Sequence, residues 1–232
     1  LNIMIKDKLV RKTIYISLLA QLITTAISLH GLFYDLEPED EIMKDILVLE
    51  AIVQFIEAFF YMWVILALKD LKIMTPRRYI DWFITTPTML ISTIIFMEYR
   101  KNKEQGLEKV EFWSFLKNHE CNIFKLVTFN FMMLLFGYLG EVGFMNKPLS
   151  VFMGSIFFIL SFYLIYDNYA KHTEIGKNLF IFLVSVWSLY AVAALLGVSA
   201  KNTMYNLLDI VSKNFYGLFI YYYIRQIGTL QS

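Results

Sequence analysis

Asp209 and Lys213 stand four residues apart in MYNLLDIVSKNFYGLFIYYYIRQ, Met204 to Gln226, a stretch whose sole turn signal is Gly217. On a helix that spacing is one turn, so carboxylate and amine project from one face, about 6 Å apart along the axis. An ammonium about ten residues from either end of an apolar helix is too deep to snorkel to an interface. Left unpaired, it costs several kcal/mol. A buried lysine of this kind is suited to holding a carbonyl cofactor as a Schiff base, with a nearby acid to keep that base protonated.

A second group of charges lies in PRRYIDWFITTPTMLIST, Pro76 to Thr93. Arg78, Asp81, Thr85 and Ser92 recur at helical offsets and line one stripe. Arg78 and Asp81 can neutralise each other, and with Asp209 and Lys213 they balance as a buried quartet. Pro87 removes a backbone donor inside this stretch, leaving a carbonyl that threonine hydroxyls can help to satisfy. Glu50 and Glu57, seven residues apart with Gln54 between them, share another helix face. Glu50 reads equally well as an interfacial residue, whereas the deeper Glu57 is expected in a proton or ion path. Gly137, Gly140 and Gly143 suit either close helix packing or room for a cofactor ring. Trp187 and Tyr190, on spacing alone, are ordinary core aromatics.

The elements that must position these groups follow from composition. Of 232 residues, 58% are hydrophobic and 18% charged, with mean hydropathy +0.54, which is the profile of an integral membrane protein. A net charge of +1 gives no case for nucleic acid. Cys121 is alone, and His30, His119 and His172 are far apart, so neither a disulfide nor a metal site is expected. The opening LNIMIKDKLVRK has no short apolar core with a cleavage site, so no cleavable signal peptide is expected.

Apolar segments at about 10–33, 43–68, 76–98, 122–144, 148–168, 177–198 and 203–226 each approach the length a bilayer core requires. The expected fold is an all-α membrane protein, a single domain of seven transmembrane helices, with no strands. Lys and Arg near the span ends, Lys6 and Lys69 among them, divide almost evenly between the two sides and fix no orientation. The acidic run DLEPEDE, Asp35 to Glu41, reads as a solvated loop. The long connection at 99–121 reads either as a short amphipathic helix on the membrane face or as an unstructured loop.

RYIDWFITTP, Arg78 to Pro87, resembles the third helix of microbial rhodopsins, and LLDIVSKNFYGLF, Leu207 to Phe219, resembles their seventh, which carries the retinal-bearing lysine. LLFGYLGEVG in the fourth segment is similar to the fourth helix of proteorhodopsins. The resemblance implies all-trans retinal as a Schiff base on Lys213, Asp81 as primary counterion and proton acceptor, and Asp209 as second counterion. It implies an arginine below the counterions at Arg78, a threonine one turn above Asp81 at Thr85, and a tyrosine bonded to the second counterion at Tyr61. Trp82, Thr86, Met89, Met133, Gly137, Trp187 and Tyr190 match retinal-pocket positions. The N-terminus is implied to lie outside and the 99–121 connection in the cytoplasm.

Three departures bear on activity. Proton pumps of the family carry a carboxylic donor eleven residues after the counterion, and Ser92 stands there, a poor substitute for an acid. The proline and tryptophan of the sixth helix are replaced by Ala191 and Ala194. Glu57 falls near the central-gate glutamate of channelrhodopsins, and the whole pattern is similar to the first group of viral rhodopsins, which are light-gated cation channels. The expectation is a light-gated cation channel with Glu50, Glu57 and Ser92 on the ion path. The alternatives are an outward proton pump with Glu50 as donor, or a light sensor. The partners implied are retinal, the bilayer and small cations or protons. An enzymatic role is not expected. Homo-oligomers are common in the family, though no interface is legible in the sequence.

Overall fold

The computed structural model describes residues 7–67 and 70–230. Residue 68, at the end of the second expected segment, and Lys6 and Lys69 lie outside the described residues. The chain forms α1 (Lys8–Gly31), α2 (Ile42–Ala67), α3 (Leu71–Gln105), a short α4 (Phe112–Asn118), α5 (Glu120–Glu141), α6 (Lys147–Asn168) and α7 (Glu174–Ala194). The last crossing has three parts: α8 (Val198–Asp209), a π turn (Ile210–Asn214) and α9 (Phe215–Ile227). Helices adjacent in the chain pack on one another, and the last crossing closes the bundle against α1.

Among the described residues, six helices are long and apolar enough to cross a membrane. The seventh crossing is helical through both joints, with αR backbone at Asp209, Ile210, Asn214 and Phe215, and Lys213 lies inside its wider turn. Single π turns inside α-helices recur at functional sites because they displace side chains from the regular face.

Local chemistry sets the helix ends. Asp7, Asp70, Asn146 and Thr173 cap α1, α3, α6 and α7 by accepting backbone N–H bonds that the first turn cannot satisfy internally. Gly106, at φ 63°, closes α3 in the left-handed conformation. α1 is sorted opposite to a helix of a water-soluble protein: Leu9, Ile16, Leu19, Leu22 and Ile23 face outward, while Thr13, Ser17, Gln21, Thr24 and Ser28 are buried. Such sorting suits a helix with lipid on its outer face and polar partners within the bundle.

The structure corrects four expectations. α3 begins before Pro76 and runs on to Gln105, and α4 fills part of the remaining connection, burying Phe115 and exposing Trp113. The 99–121 segment is therefore largely helical, as its interleaved apolar and charged residues allow. Asp40, in the acidic run, is buried against Tyr99 and Lys103, its Oδ1 accepting from both at 2.5 Å. Tyr34–Asp35 pairs antiparallel with Thr229–Leu230, a ladder too short to leave an alternating pattern in sequence. Finally, Pro87 frees the carbonyl of Phe83, but the hydroxyls of Thr85, Thr86 and Thr88 bond the carbonyls of Asp81, Trp82 and Ile84 instead.

Candidate functional site

The π turn delivers Lys213 to the centre of the bundle, where its Nζ meets three carboxylates. Glu57 Oε2 on α2 is in direct contact, Asp81 Oδ2 on α3 is at 3.3 Å and Asp209 Oδ1 at 3.5 Å. All four side chains are buried. Asp209 is the most fully engaged of the acids. It accepts from Tyr61 Oη at 2.7 Å, from Arg78 Nη1 at 2.8 Å and from Tyr190 Oη at 2.9 Å. Arg78 also donates to Asn206 and, at 3.2 Å, to Tyr61 Oη. An isolated charge here would bear a desolvation penalty of several kcal/mol, so the cluster persists only as a mutually bonded set.

The expected balanced quartet is therefore a quintet. Glu57 meets the amine directly, which puts three acids against two cations. Sequence spacing ranks residues along one helix and gives no rotational position of α2 against the lysine, so this contact was not legible.

On the other side of Lys213 lies a cavity of about 350 Å³. Trp82, Thr86, Met89, Met133, Gly137, Trp187, Tyr190 and Lys213 all line it, as do Ala191 and Ala194. Trp82 stands edge-on to Tyr190 and Tyr205, with centroids 5.5 and 5.1 Å apart, which stiffens the wall. A Cβ at Gly137 would meet Tyr79 Oη at 2.6 Å, so that glycine is where the wall closes on α3. The volume is in the range of small-ligand sites, and the lining is apolar apart from a few hydroxyls and the amine. Such a chamber fits an elongated apolar aldehyde that ends at Lys213.

Thr85 bonds the Asp81 carbonyl and stays off the amine. Ser92 donates to Glu50 Oε1 in a buried pair farther along α2 and α3.

The model of the bacteriorhodopsin-like protein family matches residues 12–227. The chain belongs to that family. A green-light absorbing proteorhodopsin of gamma-proteobacterium EBAC31A08 is 26% identical over 167 residues, covering 63% of this chain and 60% of that protein's length. Among solved structures, viral rhodopsin OLPVRII aligns over 96% of this chain and all of its own, with TM-score 0.81 and 24% identity. Exiguobacterium sibiricum rhodopsin aligns over 96% of this chain and 99% of its own, with TM-score 0.72 and 21% identity. Membership makes this an integral membrane protein and implies a retinal chromophore, which the cavity at Lys213 fits.

Several residues around the site escaped the sequence reading. Asn214 donates to Gln21 Oε1 at 3.0 Å and to Thr24, while Ser28 donates to Gln54 Oε1 at 3.1 Å. Asn206 donates to Thr13 at 2.8 Å and accepts from Ser17 through its carbonyl at 2.9 Å. Asn130 bonds Thr86 at 2.8 Å. A signal was present for most of them: polar residues recur every three or four positions through the first segment, the period of one helix face.

Proposed function

We propose that the chain is a light-gated cation channel with all-trans retinal attached to Lys213 and its N-terminus outside. Bound there, retinal supplies light absorption and a change of shape beside the amine. The chain's own residues do the rest. Glu57, Asp81 and Asp209 hold the positive charge at Nζ, and Arg78 with Tyr61 and Tyr190 holds Asp209 in place. Asp81 Oδ2, at 3.3 Å, is placed to take a proton from that nitrogen. Trp82, Trp187 and the apolar walls line the chromophore side.

The observation that carries the channel reading is the polar seam between α1, α2 and the last crossing, on the side of Lys213 away from the cavity. It runs from Asn206 past Asn214, Gln21 and Thr24 to Gln54, Ser28 and Glu50. Gln21 Nε2, Gln54 Nε2, Asn214 Oδ1, Glu50 Oε2 and Glu57 Oε1 are buried and make no hydrogen bond to another described residue. Buried polar atoms of this kind are normally satisfied by water, and a hydrated file lined with carboxylates favours cations over anions. Movement at Lys213 acts directly on Glu57 and on the adjacent Asn214.

A second reading rests on the Ser92–Glu50 contact. In an outward pump, Glu50 would supply through Ser92 the proton that a carboxylic acid at position 92 otherwise provides. Voltage-clamped cells separate the two. A channel gives photocurrent that reverses sign at the equilibrium potential of the permeant ion, whereas a pump gives current of one sign. A current that never reverses would replace the channel by the pump, and the absence of any current would leave a sensor.

A further inference from the structure

We propose that Glu57 and Asp81 form an acid pair, bridging α2 and α3 at Lys213 and sharing a single proton, so that either acid alone can balance the amine. The inference rests on the retinal reading of Lys213 and concerns which residues hold its charge.

The charges of this one buried cluster are unequal. Arg78 and Lys213 bring two positive charges, and Glu57, Asp81 and Asp209 bring three negative ones. Tyr61, Tyr190 and Tyr205 are the other ionisable side chains facing the cluster; the first two serve Asp209 as hydrogen-bond donors, and the ring of the third packs against Arg78. Asp209 is taken up by Arg78, so its charge is matched. Lys213 then has one positive charge for two remaining carboxylates, both in contact with its Nζ and close enough for their charges to act on each other. Two adjacent buried carboxylates cannot both remain ionised against one cation without a large electrostatic cost, and one proton held between them closes the count. Glu57 Oε1 and Asp81 Oδ1 make no hydrogen bond to another described residue, so each acid has an oxygen free to carry that proton.

Removing one member of the pair leaves two acids and two cations, with the surviving carboxylate ionised and the charge beside the amine unchanged. Removing both takes that charge away. A carboxylate beside a bound retinal cation stabilises its dark state and shortens the absorbed wavelength.

The test uses the purified chain with all-trans retinal, in a Glu50→Gln background so that the buried Glu50 carboxyl does not contribute. Glu57→Gln and Asp81→Asn, made singly, are expected to keep the parent absorption maximum. The double variant is expected to shift it to longer wavelength. In infrared spectra of the dark protein the parent is expected to show a buried carboxylic C=O band, and each single variant to lack it. The infrared arm needs only the single variants, so the proposal remains testable if the double variant does not fold. An Asp81→Asn shift as large as that of the double variant, or a band that persists in Glu57→Gln, would overturn the pair while leaving retinal binding intact. A parent protein that takes up no retinal would overturn the underlying reading and the pair with it.

Discussion

Gln21, Gln54, Asn214 and Glu50 of the seam are each held by one or two side-chain hydrogen bonds and have one atom left over, so their substitution should act on ion passage more than on folding. Gln21 is the clearest case. It accepts from Asn214, its Nε2 makes no bond to another described residue, and it lies outside the cavity lining. Gln21→Leu should lower the photocurrent about fivefold, the effect of losing one hydrogen bond of about 1 kcal/mol from the permeation barrier, with no change in absorption maximum. Whole-cell current normalised to pigment content checks this. Unchanged current would take α1 out of the path. Gly217 poses the opposite problem, because a Cβ there would run into the Gln54 amide. Gly217→Ala should destabilise by about 1–3 kcal/mol, and trimming Gln54 to Ala in the same chain should recover part of the loss, as read from thermal melting.

At the scale of elements, the helices were legible because apolar length is a strong signal, and their ends were less so because caps depend on one residue each. α3 shows the limit: Asp70 and Gly106 fix its ends, but charges beyond about residue 98 read as loop although the helix continues into water. The inward polar face of α1 was present as a period, yet nothing in the sequence says which neighbour that face meets. Asp7 supplies a prediction about an end. The Ser199 hydroxyl and the N–H groups of Val10 and Leu9 hold its carboxyl below the usual carboxylate range. That stabilisation is present above the unfolded value of about 4 and is lost as pH falls through the lower folded value. Asp7→Ala should therefore cost about 1 kcal/mol at neutral pH, and the gap from the parent should narrow in acid below about pH 4. A gap that is constant with pH would argue against the cap.

For the molecule as a whole, the helix order and the cluster at the lysine followed from recognisable motifs, whereas the third acid and the seam arise from the packing of α1 and α2 against the last crossing. Orientation is open to a direct check, since Cys121 is the chain's single cysteine and is exposed at the start of α5. With the N-terminus outside, a membrane-impermeant maleimide should label Cys121 in inside-out vesicles and leave it unlabelled in intact cells; the reverse pattern would invert the topology. Everything else depends on the amine at the end of the apolar chamber. The most direct measurement is the absorption spectrum of purified protein mixed with all-trans retinal, taken beside Lys213→Ala prepared in the same way. A visible band is expected in the first and only the near-ultraviolet band of free retinal in the second. A colourless parent, or a variant that keeps the visible band, would contradict it.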